Sequence, residues 1–456
     1  MASLQLFFSS LSNLLWGWPM IILLLGTHIF LTIRLKCPQR KIFKGIALSV
    51  TKDKEAKGDV SQFGALATAL AATIGTGNII GVATAVSLGG PGAVLWCWLT
   101  GVFGIATKYS EGLLAVKYRV RTSDGTMLGG PMYALERGLK MKWLAVLFCI
   151  FTVVAALGIG CSVQANSIST MMYETFHISP YLTGALLMIL VGLVVLFGIK
   201  GIARVSEILV PFMALFYVLG CLIILGMNAG FLGEAVALIA KSAFSTKAVG
   251  GGMMGGGLMV AMRYGIARGL FSNESGMGSA PIVAAAAQTR NAVRQALVSS
   301  TGTFWDTVVV CALTGLVLVT SILKYPEIDY TQGAVLTKLA FAKIPVIGPT
   351  VLSVGLLTFA FSTILGWSYY AEKAMEYLGG KKSIKVYRVV FIAVVFLGSV
   401  MHLSLVWDIA DCMNALMAIP NLISLLLLSH VLAKETNRYL WGNRLNDYDP
   451  IDKLSD

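Results

Sequence analysis

Two short stretches put hydrogen-bonding groups and glycine where the surrounding residues are apolar. The first, ATIGTGNIIGVAT (72–84), holds Gly75, Thr76, Gly77, Asn78 and Gly81. The second, RGLFSNESGMGSAP (268–281), holds Ser272, Asn273, Glu274, Ser275 and three glycines, and the glycine cluster VGGGMMGGG (249–257) precedes it. Inside a membrane helix, such residues break the helix. A break leaves carbonyls unpaired on one side and N–H groups unpaired on the other. Each would cost several kcal/mol in hydrocarbon, so a break must line a protein-walled or ligand-filled cavity. Free carbonyls are hard oxygen ligands for a cation. Free N–H groups at the positive end of a half-helix receive an anion such as a carboxylate. Glycine allows the turn and lets a small ligand approach the backbone. One glycine cluster alone reads as close helix packing through small residues. Two polar breaks at matching positions read as a transport site.

Further polar residues fall within apolar runs. Gln164 and Asn166 lie in GCSVQANS, either as interhelical hydrogen-bonders or as pocket groups. Ser362 and Thr363 lie in FAFSTILGW (359–367), where hydroxyls commonly bond back to their own turn. Arg268 and Glu274 flank the second break and suggest an ion pair, a gate, or a capped half-helix. Asp306 is a candidate for a cation or for Arg263, and Lys108 and Glu111 for snorkelling or pairing at a span end. His28 and His402 fall in spans without a motif. The seven cysteines have no CxxC spacing and read as small core residues.

The elements that position these groups follow from composition. The chain has 456 residues, 57% hydrophobic and 12% charged, against about 25% charged in a soluble domain. Long apolar runs recur without strict alternation, and crossing a bilayer takes roughly 20 residues. The chain reads as an all-α polytopic membrane protein with 11 transmembrane helices, at about 14–35, 61–90, 92–117, 142–174, 180–199, 203–229, 255–288, 293–323, 346–372, 385–402 and 405–432. The first run is too long for a signal-peptide core and has no basic residue before it. With the N-terminus outside, inner loops hold 27 of the 35 Lys and Arg and outer loops five, which predicts N-out and C-in. This distribution accounts for most of the +13 charge and removes the need for a nucleic-acid partner. The outer connections at 231–250 and 325–345 are amphipathic, as surface helices or lids would be. No P-loop pattern is present, so ATP-driven transport is disfavoured.

The two breaks lie five spans apart and so enter the membrane from opposite faces. This predicts one extra N-terminal helix followed by two inverted five-helix repeats with broken first helices. The divisions are 1–59 (extra helix and basic loop), 60–229 (first repeat), 230–250 (outer connection), 251–432 (second repeat) and 433–456 (tail).

The strings GTGNIIGVATA (75–85), GGPMYALERG (129–138) and GLFSNESGMGSAPI (269–282) resemble the alanine/glycine:cation symporters, also called sodium:alanine symporters. The resemblance covers essentially the whole chain. It implies a leucine-transporter-type fold in a bacterial inner membrane, moving a small neutral amino acid such as alanine, glycine, serine or D-alanine with Na+ or H+. It puts the substrate carboxylate on the N–H groups of Thr76 and Gly77, with Asn78 bracing the break. It gives Na+ the carbonyls of Ala71 and Ile74 and the hydroxyls of Ser362 and Thr363, with Trp367 walling the pocket. Gln164 becomes a polar pocket group for the ammonium, and Phe271 and Asn273 join the pocket at the second break. A neutral hydroxyl site argues for Na+ over H+, which usually needs a titratable group.

A channel would show a filter loop or charge rings, and an intramembrane enzyme a nucleophile–base pair or HExxH. Neither is found. Protein partners, stoichiometry and the preference among alanine, glycine and serine, L or D, are not legible from the sequence.

Overall fold

The computed structural model describes residues 2–51, 56–245, 257–331, 333–401 and 404–449. Residues 249–256 of the glycine cluster, and His402, lie outside them. Helices follow the apolar runs and begin where capping chemistry allows. Ala2–Leu15 (α1) is followed by Trp18–Arg34 (α2), with proline in its first turn. Gln62–Thr73 (α3) is capped by Ser61, whose Oγ accepts the Gly64 N–H at 2.8 Å. Gly77–Gly89 (α4) leaves α3 at an angle of 52°. Then come Ala93–Lys117 (α5), Lys142–Phe176 (α6), Pro180–Val195 (α7), Gly198–Met227 (α8) and Leu232–Phe244 (α9).

Leu258–Asn273 (α10) and the short Pro281–Ala284 (α11) flank the second glycine-rich break. Ala292–Lys324 (α12) is capped by Asn291, whose Oδ1 accepts the Arg294 N–H at 2.9 Å. Gly333–Ala342 (α13) packs on α4. The helical run Ile347–Val400 divides at Gly380 (φ 69°) into α14 (347–379) and α15 (381–400). Leu405–Leu427 (α16) closes the bundle.

Among the described residues, six helices are long and apolar enough to cross a membrane, or seven when α3 and α4 form one bent span. Their outer faces are apolar: Ile208 of α8 and Ile33 of α2 are 73% and 72% exposed. The interior of the bundle buries Asn78 and Asp306 of these spans, with Glu111 of α5 and Ser272 of α10. This inversion of the soluble pattern is the signature of lipid on the outside.

The N-terminal region differs from the span expected to start near residue 14. The apolar run there is interrupted by Ser9, Ser10, Ser12 and Asn13, yet the helix reaches back to Ala2 and packs on α16. The two connections expected to be amphipathic carry α9 and α13. Three widened turns interrupt longer helices, at Gly77–Gly81, Ala156–Ser162 and Phe304–Cys311. Close approach of α14 to α3 depends on Gly366, where a Cβ would lie 2.6 Å from Ala72 Cβ.

Candidate functional site

The first break is built by one diverted amide. Ile74 leaves helical backbone (φ −74°, ψ 93°) while its own N–H still closes on Leu70 O at 2.8 Å. Continuing the helix would send the Gly75 N–H to Ala71 O. That N–H instead donates to Asn78 Oδ1 at 2.8 Å. Ala71 O therefore loses its helical partner. Thr76 and Gly77 begin the next half-helix, where N–H groups have no preceding turn to bond. Both residues are buried.

Thr363 of α14 faces this break. Its Oγ1 lies 3.5 Å from Ile74 O and 2.9 Å from Phe359 O. A Cβ on Gly75 would lie 2.6 Å from the same hydroxyl. Ser362 Oγ donates to Phe359 O at 2.9 Å, a bond within its own turn. Ala71 O, Ile74 O and the two hydroxyls are neutral hard oxygens of the kind an alkali cation takes.

Asp306, at the widened turn of α12, joins the two breaks. Its Oδ1 accepts Asn78 Nδ2 at 2.7 Å, and its Oδ2 accepts Ser272 Oγ at 3.0 Å and Thr307 Oγ1 at 2.6 Å. Asp306 is fully buried. Arg263, its other expected partner, lies over the Tyr264 ring instead, at 5.5 Å.

The second break turns at Glu274 (φ 53°), Gly276 (φ 92°) and Gly278 (φ 84°). Glu274 accepts the Ser279 hydroxyl and, at 3.1 Å, Trp367 Nε1. Trp367 is thereby tied to the second break, and its side chain packs against Gly160. Asn273 Oδ1 accepts the Ser275 N–H at 2.9 Å, and its buried Nδ2 has no partner. Phe271 lies against the first break, its Cδ1 at 3.4 Å from where a Gly77 Cβ would be.

Two charged residues expected near a span end are interior. Glu111 is 2% exposed, and its Oε1 accepts the N–H groups of Gly276 and Gly278, at 3.1 and 3.0 Å, and Asn421 Nδ2 at 2.7 Å. Lys108 is 3% exposed with no partner for Nζ, and does not snorkel. Both face the bundle because α5 is the helix against which α10 and α12 pack. No ion pair joins Arg268 to Glu274 among the described residues. Gln164 donates to Ile159 O at 3.0 Å, leaving a buried Oε1 without a partner, which suits an ammonium donor. No described contact ties Gln164 to Thr76 or Gly77. Asn166 makes the interhelical bond, to Gly398 O at 3.2 Å.

Away from the breaks, the segment before α3 is zipped to the segment after α11. Asp59 N–H donates to Ala286 O at 2.8 Å, Gln288 N–H to Val60 O at 2.8 Å, and Arg119 to Ala287 O at 3.0 Å. Asp59 Oδ2 accepts the Met127 N–H at 3.0 Å. Burial pushes the Asp59 carboxyl above the usual carboxylate range, against the opposing pull of that N–H, Lys373, Lys200 and Arg119.

Comparison with known proteins gives a consistent picture. Residues 1–453 match the model of the sodium:alanine symporter family. An uncharacterized transporter of Haemophilus influenzae is 52% identical over 446 residues, covering 97% of each chain. The sodium/alanine symporter AgcS of Methanococcus maripaludis is 50% identical over 439 residues, covering 94% of this chain and 96% of that one. The crystal structure of MhsT in complex with L-phenylalanine matches with a TM-score of 0.59 at 16% identity, over 85% of this chain and 95% of that one. This last likeness shows a shared, leucine-transporter-type fold.

Proposed function

The chain belongs to the sodium:alanine symporter family, and from that premise we propose that it imports a small neutral amino acid, alanine or glycine first, together with Na+ by alternating access. It is a multi-pass membrane transporter and not an enzyme. The observation that carries the residue-level reading is the diverted Gly75 amide. One hydrogen bond to Asn78 both opens the carbonyl of Ala71 and holds the turn that presents the Thr76 and Gly77 N–H groups. Na+ takes Ala71 O, Ile74 O and the hydroxyls of Ser362 and Thr363. The substrate carboxylate takes the two N–H groups, with Phe271 and Asn273 beside it, Gln164 toward the ammonium and Trp367 holding the wall through Glu274.

The proposed topology is eleven spans with the N-terminus outside and the C-terminus inside. Helices Ala93–Lys117, Pro180–Val195, Leu258–Asn273 and 381–400 supply the spans beyond the seven apolar ones. In this orientation the Asp59–Ala286 zipper closes the cytoplasmic side, and rocking of the first half-helices parts it. The driving force suffices. One charge crossing 100 mV contributes about 2.3 kcal/mol. A tenfold Na+ gradient adds about 1.4 kcal/mol, together enough for accumulation of roughly a few hundred-fold.

The test is uptake of labelled alanine into proteoliposomes under an inward Na+ gradient, then under an inward H+ gradient without Na+, for the wild type and Thr363→Ala. Uptake that requires Na+ and fails in the variant supports both the ion and its site. Equal uptake on H+ alone removes Na+. No uptake of alanine or glycine by folded protein removes the substrate.

A further inference from the structure

α2 ends in a basic elbow. Arg34, Lys36, Arg40, Lys41 and Lys44 follow one another there, all but Lys41 exposed. None of the five belongs to an ion pair among the described residues. The segment 429–441 packs beside them: Lys36 Nζ donates to Asn437 Oδ1 at 3.1 Å, Trp441 Nε1 donates to Leu35 O at 3.1 Å, and Lys41 Nζ lies 5.8 Å from the Trp441 ring. That segment's Glu435 is taken by Lys117 at 3.0 Å, while its Lys434 and Arg438 are exposed and add to the positive charge. The elbow turns through Lys36 (φ 61°) and Cys37 (φ 56°), left-handed backbone that a residue with a side chain holds only where its surroundings fix it.

Beside the cations the surface is apolar. Ile33 of α2 and Phe43 of the short helix Ile42–Ser49 are exposed. The Phe43 ring meets Phe304 of α12 edge-on at 6.3 Å, and Phe304 meets the exposed ring of Trp305 at 5.2 Å. The short helix lies close on α12, where a Cβ on Gly45 would come within 2.6 Å of Leu297 O.

We propose that this elbow binds an anionic phospholipid of the bilayer, whose phosphate meets Arg34, Lys36 and Arg40 and whose acyl chains lie along Ile33 and the Phe43–Phe304–Trp305 strip. In the proposed orientation α2 ends on the cytoplasmic side, so the lipid belongs to the inner leaflet. Charge selects the headgroup. Clustered Lys and Arg beside a membrane helix attract a net negative lipid, and they repel the quaternary ammonium of a zwitterionic one. The apolar strip selects a lipid over a free phosphate or a nucleic acid, neither of which has chains to cover Phe43. Position gives the site a consequence. Trp305 precedes Asp306, the carboxylate that joins the two breaks. A lipid lying across the elbow and this strip steadies α12 at that point.

The experiment titrates the purified full chain in detergent with phosphatidylglycerol or with phosphatidylcholine, reading bound lipid and melting temperature. The elbow variant carries Arg34→Gln, Lys36→Gln and Arg40→Gln. A control variant loses the same charge from other exposed positions, through Arg204→Gln, Lys382→Gln and Lys385→Gln. The wild type is expected to prefer phosphatidylglycerol and to melt higher in its presence. The elbow variant should lose at least about tenfold in affinity for phosphatidylglycerol and lose the rise in melting temperature, while the control keeps both. All three should melt alike in phosphatidylcholine, since the replaced side chains are exposed. Phe43→Ser, which leaves the charges in place, should weaken phosphatidylglycerol binding as well. Equal losses in the elbow and control variants would mean general attraction to the charge of the protein, and overturn the site. Equal binding of the two lipids by the wild type overturns it too. Full affinity in Phe43→Ser, with the lipid displaced by inorganic phosphate, would make the elbow a free-anion site and overturn the lipid. None of these readouts depends on uptake of an amino acid.

Discussion

Asn78 Nδ2 donates to Asp306 Oδ1 at 2.7 Å, and through this bond the two breaks share one carboxylate, since Asp306 also accepts the Ser272 hydroxyl at 3.0 Å. Asn78 in turn holds Gly75. The break is therefore braced by a chain of hydrogen bonds running Gly75–Asn78–Asp306–Ser272. Asp306→Ala removes the carboxylate that three buried donors share, leaving Asn78 Nδ2 the Asp306 carbonyl at 3.2 Å and Cys311 Sγ at 3.3 Å, and the Ser272 hydroxyl only Cys311 Sγ at 3.3 Å. A hydrogen bond to a charged group contributes about 1.5–3 kcal/mol, so the variant is expected to lose uptake at least tenfold and to melt clearly lower. Asp306→Asn keeps the volume but puts an amide N–H₂ toward Asn78 or toward the two hydroxyls. It should fall between the two, in uptake and in melting temperature alike. A wild-type rate in Asp306→Ala would sink the bracing role.

Glu111 does for the second break what Asn78 does for the first. Its Oε1 gathers three donors, two of them backbone N–H groups of the turn. Glu111→Gln retains an acceptor oxygen and should stay folded with a modest loss of stability. Glu111→Ala should destabilise by more than about 3 kcal/mol, because several buried donors lose their partner at once. A thermal unfolding series on the purified variants separates the two, and equal melting of Gln and Ala would contradict the assignment.

Gly75→Ala tests the proposed cation site without replacing a proposed ligand side chain. The new Cβ would sit 2.6 Å from Thr363 Oγ1 and must push the hydroxyl away. The expected outcome is a half-saturating Na+ concentration at least tenfold higher, with the affinity for alanine at saturating Na+ changed less. Pairing it with Thr363→Ala should add little further loss, since both changes act on the same oxygen. Additive losses would mean that the glycine matters for the turn and not for the hydroxyl.

How much of this was legible follows from what each feature needs. The two breaks stood out because glycine and polar residues inside apolar runs are visible along the chain itself. The bracing role of Asn78 was implied by the resemblance alone, and its partner, Gly75, lies three residues away. Asp306 was visible as an expensive charge but its partners were not, because Asn78 lies 228 residues away. Glu111 looked like the end of a span because hydropathy reports position along a helix and not the face it presents. Its partners, Gly276 and Gly278, are 165 and 167 residues distant. The widened turn at Phe304–Cys311 has no glycine or proline to announce it, and Gly158 and Gly160 in the one at Ala156–Ser162 read equally well as close helix packing.

The zipper beside α3 makes a prediction about pH. Asp59 lies ahead of the first broken helix, half-buried, with burial raising its carboxyl pKa above the ordinary value. A raised folded-state pKa means that the folded form prefers the protonated acid. The group therefore contributes stability at pH below the ordinary carboxylate range, and that contribution is lost as pH rises through the raised value. Asp59→Asn removes the ionisation while its amide oxygen can still accept the Met127 N–H. The melting temperature of the wild type should fall relative to that of the variant as pH rises from the ordinary carboxylate pKa toward neutrality, and the two should converge in acid. On the proposed orientation and alternating-access mechanism the zipper parts when the cytoplasmic side opens, so the more stable variant should also transport more slowly at neutral pH. A variant that melts below the wild type at neutral pH would show that the charge of Asp59, acting on Lys373, Lys200 and Arg119, outweighs the cost of its burial.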